Sequence, residues 1–154
     1  MRFSTIASTL ATASIASARI VGVATPSTLA PNATFPITLI NENYVQAVSE
    51  IAAAWGFETP ARAFPYTLGQ SGTASSYMGP TFSTSLENVT LVGTVPGHLE
   101  NGSDYVFSVA VMSLYGASHG PITESWNVTV KIGQDQDDED IVASRQLGWK
   151  QTTA

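Results

Sequence analysis

The chain has 154 residues, a formal net charge of −6, 44% apolar residues and no cysteine. The length suits a single core. The missing cysteines exclude disulfides, thiolate metal sites and a thiol nucleophile, and the acidic balance argues against nucleic acid as a partner.

The first residues, MRFSTIASTLATASIASA, place Arg2 before a small-residue, mildly apolar run and end on Ala16-Ser17-Ala18. That small-x-small ending is the pattern cut by signal peptidase, so residues 1–18 read as a secretory signal peptide. The run is too short for a membrane span, and no later stretch qualifies. A secreted protein without membrane insertion is therefore expected. Four of the six asparagines lie in N-glycosylation sequons: Asn32, Asn88, Asn101 and Asn127. They point to passage through a glycosylating pathway.

The body alternates apolar and polar residues with period two, which is the signature of half-buried strands. Strands are expected at Ile20–Ala24, Thr34–Ile40, Glu50–Phe57, Leu86–Val95, Tyr105–Leu114 and Ser125–Ile132, with a weaker one at Ser75–Met78. Val45, Val48, Ala52 and Trp55 also fit a helical face, so a helical turn is expected near Val45–Ser49. Thr59–Pro65 and Gly69–Ser76 read as connections. About seven strands with turn signals indicate an all-β, immunoglobulin/fibronectin-III-like two-sheet sandwich over residues 19–133. Leu99-Glu-Asn-Gly-Ser-Asp-Tyr105 supports this reading. Its spacing matches a tyrosine corner, in which a Tyr hydroxyl bonds backbone a few residues upstream. Residues 134–140 then hold five of the twelve acids. So dense a run of like charge predicts a disordered acidic tail over 134–154.

The chemistry-bearing residues are sparse. His98 and His119 lie in expected loops, with no carboxylate at ligand spacing. Asp135, Asp137 and Glu139 resemble alternate calcium ligands but lack an EF-hand glycine and flanking helices. Gly69-Gln-Ser71-Gly72-Thr73 misses the last glycine of a nucleophile elbow. Glycoside hydrolysis needs a pair of carboxylates on rigid elements; of Glu42, Glu50, Glu58, Glu87, Glu100, Asp104 and Glu124, most sit at strand ends or turns, where acids serve solubility. No catalytic residue, metal or cofactor is expected. Binding remains: Tyr66, Tyr77 and Tyr115 fall at loops or strand ends and offer contact area. Such tyrosines suit a carbohydrate-binding module as well as a protein contact. In the tail, Leu147 and Trp149 are apolar residues in an acidic setting that can dock into a partner's groove.

Three segments carry a family resemblance. They are ARIVGVATPSTLAPNATFPITLINENYVQAVSEIAAAWGF at 18–57, YMGP at 77–80 and VMSLYGASHGPITESWNVTVKIG at 111–133. With them the sequence resembles the necrosis-inducing secreted protein 1 family of fungal effectors. The resemblance implies a small protein secreted by a plant-associated fungus, and a non-enzymatic monomer is expected. It would act outside host cells or after translocation into them. Its implied partners are host plant receptor-like kinases and associated cytoplasmic kinases, bound so as to suppress pattern-triggered immunity, and some relatives provoke cell death. No contact residue is carried over from the family.

Overall fold

A computed structural model describes residues 17–79, 86–145 and 147–152. Alternating sequence becomes alternating burial. In β5 (Val89–Thr94) every second side chain is buried and the others face solvent. The remaining strands are β1 (Ser17–Leu29), β2 (Thr34–Tyr44), β3 (Val48–Glu58), β4 (Ser71–Tyr77), β6 (Asp104–Tyr115), β7 (Gly120–Ile132), β8 (Asp137–Ser144) and β9 (Leu147–Thr152). A single 3-10 turn, Pro60–Arg62, interrupts the connection after β3. Where a helical turn was expected near Val45–Ser49, β2 runs to Tyr44 and β3 begins at Val48. Cross-strand pairing of Val48 with Tyr115 overrides the weak helical periodicity there.

The all-β expectation holds. Seven of the described strands follow one hydrogen-bonded path, β4-β3-β6-β7-β1-β2-β5, which forms a nearly closed, barrel-like sheet, with β8 and β9 pairing off it. Its two halves, β5-β2-β1 and β4-β3-β6-β7, meet where Thr28 and Leu29 pair in parallel with Lys131 and Ile132. Strand β1 turns between the halves at Thr25-Pro26-Ser27. Its pairing with β2 extends to Ala24, opposite Thr38. Pro26 has no N–H to offer a ladder, and the pairing with β8 shifts register just after it.

The core joins both halves. Phe35, Phe57 and Phe107 form a mutually packed triad, with ring centroids 5.8, 5.3 and 4.8 Å apart. Trp126, Leu39, Val109 and Ile132 are buried around it. Leu99 and Tyr105 also belong to the core, and the Glu100 N–H donates to Tyr105 Oη at 3.2 Å. That bond fixes the loop that precedes β6.

The tail requires a correction. Disorder was expected from residue 134, yet β8 pairs antiparallel with β1 and β9 pairs antiparallel with β7. Charge density favours solvation of the side chains, and Asp137–Asp140 are indeed exposed. It does not prevent the backbone from completing an open sheet edge. Because β1 and β7 are parallel and diverge from Leu29 and Ile132, β8 and β9 lie in the seam between them.

Candidate functional site

The end of the barrel at which β1 starts and β6 ends gathers charged and aromatic residues. Tyr44 at the end of β2 and Tyr115 at the end of β6 meet edge-on, with centroids 5.8 Å apart. Arg19 lies over the Tyr44 ring at 5.1 Å, a cation–π contact. Tyr115 Oη donates to Glu124 Oε2 at 2.8 Å. Burial pushes the Tyr115 hydroxyl far above its ordinary pKa. The hydrogen bond to Glu124 and its charge act in the same direction, while Arg19 opposes them. Tyr115 therefore stays a neutral donor to the carboxylate.

Two acids are buried at this end, Glu50 at 3% exposure and Glu124 at 5%. Glu50 Oε2 has no hydrogen-bond partner, and burial raises its carboxyl pKa. Beside the cluster, a cleft of about 220 Å³ is bounded by Arg19, Ile20, Glu42, Glu124, Trp126 and Arg145. Glu42 and Arg145 form an ion pair across it. The arrangement supplies carboxylates, a tyrosine hydroxyl and arginine hydrogen-bond donors.

The tyrosines singled out in the sequence do not form one site. Tyr115 belongs to the buried-acid cluster and is half-buried. Tyr77, 74% exposed, ends β4 opposite Ala52. Tyr66, 73% exposed, lies in the connection between β3 and β4, whose Pro65 and Thr67 border a small pocket with Ser108 of β6 and Ser125 of β7. Tyr66 is held at a φ of +67°, where a bulky side chain is strained, and the neighbouring Phe64 is also exposed. The connection thus presents two aromatic side chains to solvent. Leu147 and Trp149 lie on β9, paired with Trp126 and Ser125.

The sequon residues Asn32, Asn88, Asn101 and Asn127 are all exposed. Asn88 Oδ1 accepts from the Asn41 N–H at 3.0 Å. Asn127 Nδ2 lies 3.0 Å from where a Cβ on Gly148 would stand, so it sits against β9. His98 Nε2 lies 3.2 Å from Ser71 Oγ, which ties the β5–β6 connection to the start of β4. No carboxylate among the described residues bonds the other ring nitrogen, so this pair is not an assembled triad. No group of three His, Asp or Glu among the described residues could hold a metal.

Sequence reasoning missed Arg19, Tyr44, Glu50, Glu124 and Trp126 as one cluster. Glu124 was findable: it is in phase with Trp126, Val128 and Val130, the inward residues of β7. Glu50 was not. A bulge between Glu50 and Ala52 shifts the pairing, so Glu50 points inward with Val48 while Ala53, Trp55 and Phe57 also do.

Comparison with known proteins adds sequence relatives. The Nis1 family model matches residues 16–131. Necrosis-inducing secreted protein 1 of Colletotrichum higginsianum is 44% identical over 119 residues, covering 77% of this chain and 81% of the relative. The protein of the same name from Colletotrichum orbiculare is 38% identical over 136 residues, covering 88% and 83%. Among solved structures, a superoxide reductase (neelaredoxin) from Ignicoccus hospitalis aligns over 75% of this chain and 82% of its own, with a TM-score of 0.38 and 12% identity.

Proposed function

The chain belongs to the Nis1 family, and from that premise we propose that it is a secreted, necrosis-inducing effector that acts by binding rather than catalysis. The observation that carries the reading is the match to two proteins named as secreted and necrosis-inducing, over more than three quarters of the chain. Its partners are host plant receptor-like kinases and associated cytoplasmic kinases, and the outcome is suppression of pattern-triggered immunity. No helix among the described residues is long and apolar enough to cross a membrane. The exposed sequons Asn32, Asn88, Asn101 and Asn127 are glycan acceptors in this reading. The two strand groups joined at Thr28–Leu29 support viewing the barrel as an immunoglobulin-like sandwich whose first strand switches sheets.

Phe64 and Tyr66 are the favoured contact residues. Exposed aromatics on a structured loop supply contact area at low entropic cost. Capture of plant receptor-kinase domains by the full chain, repeated with residues 134–154 deleted, tests the reading. Failure of both forms to bind overturns it. The Tyr66→Gly variant locates the surface. Glycine accepts this left-handed backbone, so the fold is retained while capture falls. Undiminished capture would move the contact elsewhere.

A further inference from the structure

The pocket beneath the β3–β4 connection has an acceptor for covalent modification in its wall. Its volume is about 120 Å³, and it lies on the outer face of β6 and β7. Phe64, Pro65 and Thr67 border it on one side, and Ser108, Ser125 and Asn127 on the other. Asn127 is directly opposite Ser108 in the β6–β7 ladder, so the two side chains share that face. Ser125, two residues earlier on the same face, is only 2% exposed, whereas Asn127 at the margin is open to solvent. Thr67 Oγ1 donates to the Phe64 carbonyl at 2.8 Å, which fixes the turn of the connection over the pocket.

Asn127-Val128-Thr129 is a sequon, and Asn127 Nδ2 is the atom that would carry the sugar. Gly148 keeps that nitrogen clear. A Cβ at residue 148 would stand 3.0 Å from both Asn127 Nδ2 and Ser125 Oγ, so any other residue would crowd the acceptor. Asn32, Asn88 and Asn101 do not border this pocket. Resting on the glycan-acceptor reading of Asn127, we propose that the first sugar of its N-glycan seats in the pocket and is held there as part of the fold. The attachment is a group transfer. Asn127 Nδ2 displaces a pyrophosphate from C1 of a lipid-linked oligosaccharide: the C–N bond forms, the C–O electron pair leaves with the pyrophosphate, and the nitrogen gives up one proton. The first sugar is an N-acetylhexosamine, with an acetamido group and hydroxyls beside an apolar C–H face. The pocket matches both characters, with Ser108 and Ser125 hydroxyls on one wall and Phe64 and Pro65 on the other. Its volume takes an acetamido group and part of a ring, so one sugar is seated and the rest of the glycan stays in water. Because the sugar is tethered at the wall, little association entropy is lost, and weak contacts suffice. The docked sugar also narrows the contact surface: it covers part of Phe64, which is otherwise 64% exposed, while Tyr66 does not border the pocket.

The test uses the full chain secreted from a glycosylating eukaryotic host, as parent and as Phe64→Ala. Phe64 is exposed, so its replacement opens the pocket wall without opening the core. A glycosylamidase is applied to the folded proteins, and release is read by mass as Asn127 becoming aspartate. Release is expected to be several-fold slower from the parent than from Phe64→Ala, with equal rates after denaturation. Thr129→Ala, which removes the sequon and leaves Asn127 in place, is expected to melt several degrees below the parent. In the Phe64→Ala background that gap should close. Equal release from the two folded proteins, or a melting gap that Phe64→Ala leaves unchanged, overturns the docking while the glycan reading stands. Peptide mapping that finds Asn127 without sugar overturns the glycan reading of this site and the docking with it.

Discussion

β6 and β8 are strands of the same barrel held by different physics. β6 is paired along both edges, with β3 and with β7, and buries Tyr105, Phe107, Val109 and Val111. β8 pairs with β1, keeps its acids in water and gives the core one half-buried valine. A strand can therefore be specified by its own side chains or by the edge that receives it. Only the first kind is written in hydrophobic periodicity.

The largest effect that separates the two is on core packing. Phe107 is fully buried against Phe35 and Phe57. Phe107→Ala is expected to lower unfolding free energy by about 3–5 kcal/mol, enough to threaten the fold of a small domain. Val142→Ala, the equivalent deletion in β8, is expected to cost about 1 kcal/mol or less, because the site is only half-buried. Denaturant titration of both variants checks this, and comparable losses would erase the distinction between the strands.

What was legible follows the same division. The register of β5, β6 and β7 could be read from alternation, because those strands face a core on one side and water on the other. Leu99 and Tyr105 could be read from spacing. β8 could not, because five acids within residues 134–140 give the composition of a disordered tail, and only the open seam between β1 and β7 supplies its pairing. The end cluster was half-legible. Tyr115 was singled out, but its partner Glu124 was assigned to solubility despite sharing the inward phase of β7. Arg19 and Tyr44 are diagonal neighbours across the β1–β2 ladder, where Ser17 pairs with Tyr44 and Arg19 with Glu42, whereas Tyr44 meets Tyr115 from a strand that β2 does not pair with, which no local pattern encodes.

The acids sharpen the comparison at intermediate magnitude. Those of β8 are exposed, while Glu50 in β3 is buried with an unpartnered oxygen. Burial raises the folded-state pKa of Glu50, so the folded state disfavours its charge. This contribution is fully favourable below the unfolded carboxyl pKa. It is lost as pH rises from that value through the raised folded one. Glu50→Gln removes the dependence. The variant is expected to be more stable than the parent by about 1 kcal/mol at neutral pH, with the difference vanishing at acid pH. Thermal melts across that range check it. A variant less stable at neutral pH would show that the Glu50 carboxylate is compensated.

The smallest global effect tests whether β8 behaves as a separate cooperative unit. Arg145 and Glu42 tie the end of the β8 segment to β2, but their side chains are 59% and 49% exposed, and pairs so solvated contribute little. Arg145→Ala is expected to shift the global unfolding free energy by under about 0.5 kcal/mol. Locally the consequence is larger in proportion, because β8 has few other side-chain anchors. Opening of a weakly anchored edge strand does not require the core to open. Amide hydrogen exchange in β8 should therefore accelerate in the variant while β6 amides keep their protection, and high salt should give the parent the same behaviour by screening the pair. If β6 and β8 amides instead accelerate together, the seam strand is part of one unit with the core, and opening at Gly133–Gln136 would require unfolding of the whole barrel.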